Sequence, residues 1–147
     1  MRESSDNGMK RLVTIAGLVL AFACQSFPSD RTALARVTVY WPSEGSGRAA
    51  AWNGARLRET DCAVDPKKIP YGSKVTFGDG ECMARDTGPD VVKRKAARSL
   101  GRTRAERDAI VVDRFFDTKQ KARAWESTHP HFMIVRVQMA DSNQAAD

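Results

Sequence analysis

Two histidines and three cysteines are all that this 147-residue sequence offers as imidazole and thiolate ligands. The cysteines form no Cys-x-x-Cys pair. His129 and His131, which flank Pro130, have no third ligand near them in the chain. A zinc centre needs three or four such groups at short, regular spacings, so no metal and no cofactor is expected. The two histidines are read as part of the loop entering the last strand. His-Glu-x-x-His, Gly-x-Ser-x-Gly, the P-loop and the dinucleotide fingerprint are missing too. Their absence removes the sequence grounds for a zinc protease, an α/β-type serine hydrolase or a nucleotide-binding enzyme. Aromatic residues make up only 7% of the chain, so a core must rest mainly on Val, Ile, Ala and Leu. No internal repeat is evident.

What is present suits one soluble domain with a modest core. Hydrophobic residues are 41% and charged residues 29% of the chain, with a formal net charge of +6. That surplus favours anionic partners: nucleic acid, acidic lipid or an anionic cell-wall polymer.

The N-terminus narrows the choice. Lys10-Arg11 precede an apolar run from Leu12 to Ala23, which ends Ala21-Phe22-Ala23-Cys24. A basic flank, a run of about a dozen apolar residues and an Ala-x-Ala end predict a secretory signal peptide over 1–23. The run is short for a bilayer, which takes about 20 residues. Cys24 directly after it is the candidate lipidation site of a bacterial lipoprotein. A second possible cleavage point follows Ala33-Leu34-Ala35. Residues 24–35 are expected to be a linker, 36–139 the folded domain and 140–147 a disordered tail. In an exported protein the remaining cysteines, Cys62 and Cys82, suggest a disulfide. Closing a loop of about twenty residues contributes on the order of 3 kcal/mol.

Six short β-type runs follow: Val37–Trp41, Cys62–Asp65, Lys74–Phe77, Cys82–Arg85, Ala109–Phe116 and Phe132–Val137. Pro and Gly punctuate them, with turns expected at Ile69-Pro70-Tyr71-Gly72 and Gly78-Asp79-Gly80. Val91–Asp108 is basic and helical in propensity, broken near Gly101. Asp117 with Gln120 predicts a capped helix running through Ser127.

Three aspartates carry the chemistry. Asp65 and Asp86 stand at strand ends, and Asp113 sits inside an apolar strand, where a carboxylate needs a reason. A carboxyl group whose proton affinity is raised in a groove can act as a general acid, the requirement for cleaving a glycosidic bond. Turn capping is the competing role for Asp65 before Pro66 and for Asp86 before Thr87-Gly88. Trp52, in a Gly/Ser/Ala-rich loop, is either a satellite of the core or a platform for a sugar ring. The basic stretch lacks interleaved aromatics, which argues against single-stranded nucleic acid as the ligand.

Ala63-Val64-Asp65-Pro66 with Ile69-Pro70-x-Gly72-Ser73, Ala84-Arg85-Asp86-Thr87-Gly88 and Val112-Asp113-Arg114-Phe115 resemble the three motifs of the three-aspartate (3D) domain. The match runs from about Cys62 to Val137. The resemblance implies a mainly β fold, a six-stranded double-psi β-barrel with short helices in the connections. It further implies a peptidoglycan lytic transglycosylase. With the N-terminal signal, the expectation is a cell-envelope protein, lipid-anchored or secreted, that is monomeric and binds no nucleic acid. Asp113 would be the acid and base, Asp86 its partner and Asp65 a support. Thr87, Gly88, Trp52 and Tyr71 would contact the sugar. Non-catalytic, expansin-like glycan-binding relatives share the barrel, so a binding module is the second expectation. The basic stretch replaces a short Gly-rich segment of the family. Arg114 stands where an apolar residue is usual, and a pairing with Asp113 would favour its charged form.

Overall fold

The computed structural model describes residues 29–42 and 49–140. The expected signal peptide, Cys24 and the tail beyond Ala140 lie outside the described residues. Six strands close a barrel in the order β1-β5-β2-β4-β3-β6. They are β1 (Asp30–Tyr40), β2 (Asp61–Ala63), β3 (Lys74–Thr76), β4 (Glu81–Asp86), β5 (Ile110–Phe115) and β6 (Phe132–Gln138). Short helices fill the connections: α1 (Pro89–Val92), α2 (Lys95–Leu100), α3 (Arg104–Asp108) and α4 (Lys119–Thr128). This is the mainly β, six-stranded barrel that the sequence predicts. β1 runs parallel to β5, and β2 parallel to β4, while the other neighbours are antiparallel.

The two-residue period of a strand sends alternate side chains to opposite faces. Ala35 and Val37, Cys82 and Ala84, and Val135 and Val137 therefore share one buried cluster with Val75 and Val112. Cys62 and Cys82 are disulfide-bonded with Cα atoms 5.8 Å apart, joining β2 to β4 inside that cluster. A second cluster covers the opposite face of β1, β2 and β5. There Val91 of α1 and Ala97 of α2 pack on Ala63, Val111 and partly buried Tyr40. A third cluster joins Trp41, Phe116 and Ala122, with Trp125 of α4 against it.

Local signals and tertiary pairing disagree in several places. β1 begins at Asp30, so residues 30–35 are strand and not linker. Asp, Arg and Ala there have weak β preference, but Asp30 through Ala35 pair one by one with Gln138 back to Met133. Ser73 N–H donates to Pro70 O at 3.1 Å, so the tight turn is Pro70-Tyr71-Gly72-Ser73, one residue later than expected. Gly72, with φ of +82°, is its third residue, the position at which a type II turn requires positive φ. The cap of α4 is the Thr118 side chain, which accepts the Lys121 N–H, and not Asp117. The basic stretch breaks twice. Arg94, with φ of +54°, separates α1 from α2, and a reciprocal Thr103–Glu106 capping box restarts the chain as α3 after Gly101.

Candidate functional site

Register places the two main acids. On β2, Ala63 pairs with Asp113 of antiparallel β5 on one side and with Asp86 of parallel β4 on the other. A bulge between Cys62 and Ala63 brings Asp86 to that level. Ala63 is small and buried, so it leaves open the space between the two carboxyl groups.

β1 supplies a hydroxyl to each acid. Thr38 is the register partner of Asp113 in the parallel β1/β5 pair, and its hydroxyl donates to Asp113 Oδ1 at 2.7 Å. Tyr40 lies two residues on, facing the same side. Its hydroxyl donates to Asp86 Oδ2 at 2.9 Å, and the Ala51 N–H donates to Oδ1 at 3.1 Å. The Tyr40 ring is held edge-on against Phe115, centroids 5.3 Å apart. Burial raises the Tyr40 phenol far above its ordinary value, and the charges of Asp86 and Asp113 and the bond to Asp86 add to that. Tyr40 therefore stays a proton donor to Asp86 at every working pH.

Asp86 and Asp113 line one cleft of about 680 Å³ together with Thr87 and Gly88. Its floor is the outer face of the barrel, with Thr38, Tyr40, Ala63 and Val111. The opposite wall is the basic insert, through Val91, Lys95, Ala96, Ser99 and Leu100. Asp90 and Lys95 meet at this wall, Nζ to Oδ2 at 3.3 Å, and both side chains are about 70% exposed. Such an exposed pair contributes little to stability.

The remaining expected site residues stand elsewhere. Asp65 does not line the cleft. Its Oδ1 accepts the Lys67 N–H at 3.1 Å, and its carbonyl accepts from Lys68 and Ile69 at 2.9 Å, so it caps the turn after β2. Trp52 is not in the cleft lining either. Its backbone N–H donates to Arg85 O at 3.0 Å, its ring abuts Gly72, and the Arg85 guanidinium lies 5.9 Å over it. Tyr71 is also outside the lining. Burial raises its phenol, Thr87 opposes that and Asp86 adds to it. The tryptophan that does line the cleft is Trp41, over which Lys119 and Arg123 lie at 5.7 and 5.3 Å. Thr38, Tyr40 and Trp41 escaped the sequence reading. The signal for two of them was a hydroxyl at alternate positions of Val37-Thr38-Val39-Tyr40.

The histidines do not converge. His129 stacks on Trp125 at 4.4 Å with Nε2 3.5 Å from Asp79, whereas His131 is exposed and gives its carbonyl to the Val37 N–H at 3.0 Å. Among the described residues no three His, Cys, Asp or Glu side chains are grouped to hold a metal ion, and no helix is long and apolar enough to cross a membrane.

The chain matches no protein-family model and no curated protein sequence.

Proposed function

We propose that this protein is a three-aspartate-domain peptidoglycan lytic transglycosylase, exported and held at the cell envelope. The observation that carries the reading is the shared cleft of Asp86 and Asp113, each supplied with a hydroxyl by β1.

The two acids differ in their donors. Asp86 accepts from Ala51 N–H, a group that can only donate, and from a phenol held protonated. These two donors fix the orientation of the Asp86 carboxyl in the cleft. Asp113 is bonded to a threonine hydroxyl, which can donate to a carboxylate or accept from a carboxylic acid. Asp113 then protonates the glycosidic oxygen between the muramic and glucosamine residues as the bond breaks, and Asp86 faces the positive charge that develops on the sugar. The Asp113 carboxylate next takes the proton of the muramic 6-hydroxyl while that oxygen bonds to the anomeric carbon. The product is a 1,6-anhydro end, and no water is consumed. Thr87 and Gly88 border the sugar site, and no metal or cofactor enters.

The test is product analysis. Full-length protein incubated with peptidoglycan yields anhydro-muropeptides, and Asp113→Asn abolishes them. Sedimentation with the polymer and no product from the wild type instead identifies a glycan-binding module of the expansin kind. That second reading is favoured by the exposed basic wall, which binding alone would use.

A further inference from the structure

The insert that walls the cleft carries almost all of the chain's charge surplus. Between Val91 and Asp108 there are seven basic residues and two acidic ones, in a chain whose total is +6. Four of the seven are engaged. Lys95 meets Asp90, Arg94 and Arg104 meet Asp108, and Arg107 donates to the carbonyls of Gly101 and Arg102. The side chains of Lys93, Arg98 and Arg102 are exposed and form no ion pair within 4 Å among the described residues. All three lie outside the cleft lining, while their helical neighbours Lys95, Ala96 and Ser99 lie in it. Arg102 lies in the field of Glu106, whose Oε2 accepts the Arg102 backbone N–H at 2.7 Å. A polymer seated against Asp86 and Asp113 and running on past α2 therefore meets exposed cations, of which Lys93 and Arg98 are the least compensated.

We propose that the outer surface of this insert, through Lys93, Arg98 and Arg102, docks the part of a glycan strand that extends beyond the cleft, and that it does so through carboxylate groups borne along the strand. The inference rests on the glycan reading of the cleft and specifies its substrate: an acidic glycan, not a neutral one. Asp86 and Asp90, the latter paired with Lys95, border the cleft, and carboxylate charge there repels such a polymer. The cations outside it offset that repulsion and raise the local concentration of an anionic strand. A membrane surface fits less well. The helices have four, six and five residues, too short for an amphipathic interfacial helix, and Val91 and Ala97 are turned onto the barrel. Residues 91–108 contain no aromatic side chain for stacking on nucleic acid bases.

The experiment compares binding of the full chain to intact peptidoglycan and to the same material with its carboxylates amidated. Both measurements use an Asp113→Asn background so that cleavage does not intervene. Amidation is expected to weaken binding roughly tenfold or more. The Lys93→Glu, Arg98→Glu, Arg102→Glu triple variant is expected to lose a similar factor on native material, to lose nothing further on amidated material, and to show a shallower salt dependence. Equal binding of triple variant and parent to native peptidoglycan overturns the proposal, as does indifference to amidation. Loss of binding to anionic-lipid vesicles with glycan binding unchanged overturns it in favour of a membrane surface. An unchanged thermal transition shows that the triple variant is folded. Failure of the wild type to release anhydro products counts against the lytic reading alone and leaves these binding results to stand.

Discussion

Arg114 gives its guanidinium to Asp79, Nη1 to Oδ2 at 3.1 Å, and lies 4.7 Å over the rings of both Phe77 and Trp125. Asp113 precedes it in the chain and faces the cleft, because consecutive strand residues point to opposite sides. The cation that the sequence set beside the acid is thus spent on joining the β3–β4 turn to α4. The Arg114 side chain is about nine-tenths buried, so removing it deletes packing and strands Asp79 without its cation. Arg114→Ala is expected to cost about 3 kcal/mol, the lower part of the range for a broken buried pair because Asp79 is a third exposed. Urea unfolding measures it, and a loss under about 1 kcal/mol would assign the pair to the weak surface class.

The same contact predicts an acid limb in stability. Burial pushes the Asp79 carboxyl upward, but the Trp125 indole N–H at 2.7 Å and Arg114 outweigh it, and the net shift is downward. A carboxyl depressed in the folded state contributes stability that is fully present above its unfolded value of about 3.9. That contribution is lost as pH falls through the lower folded value. The urea midpoint is therefore expected to drop as pH falls below about 4. In Asp79→Asn this part of the drop should be missing, and an unchanged profile would remove Asp79 as its source.

Gly72 is a backbone requirement and a packing one. Its φ is +82°, and an added Cβ would stand 3.3 Å from Trp52 Cη2. Gly72→Ala is expected to destabilise by about 1–2 kcal/mol from the left-handed backbone alone. Trp52→Ala should likewise lower the melting temperature while leaving affinity for glycan in the cleft unchanged. A Trp52→Ala protein of normal stability and reduced glycan binding would restore that ring to the sugar site.

Cleavage after Ala35 would remove residues 30–35 from β1, more than half of an eleven-residue strand. It would also remove the Asp30–Arg136 ion pair and six register pairs with β6, opening the barrel seam. A chain beginning at Arg36 is expected to unfold without a cooperative transition, and one beginning at Gln25 to unfold with one. Circular dichroism on heating distinguishes them. A cooperative transition from the shorter chain would make Ala35 an admissible mature end.

Six strands were legible in the residues because β-branched runs such as Ile110-Val111-Val112 and punctuation by Pro and Gly are local properties. So were the Cys62–Cys82 link and the helical character of the basic insert. The start of β1 was not legible, since Asp30-Arg31-Thr32-Ala33 has little β preference and is a strand only because β6 offers it hydrogen-bonding partners. The candidate site divides the same way. Asp86 and Asp113 were readable as candidates from an acid at a turn and an acid in an apolar strand, and both line the cleft. For Asp65 the residues offered both a place in the groove and the capping of a turn, and only the folded chain shows the turn.

Local chemistry written in the chain determined which segments could be strands and which acids would be hard to bury. The tertiary structure decided which of them meet: closure of the barrel brings β4 and β5 to either side of β2, so that Asp86 and Asp113 share Ala63 as a register partner. It also decided that β1 supplies a hydroxyl to each and that the insert walls the cleft. The physical reason is that pairing register across a closed sheet depends on all six strands at once, and no window of sequence contains it.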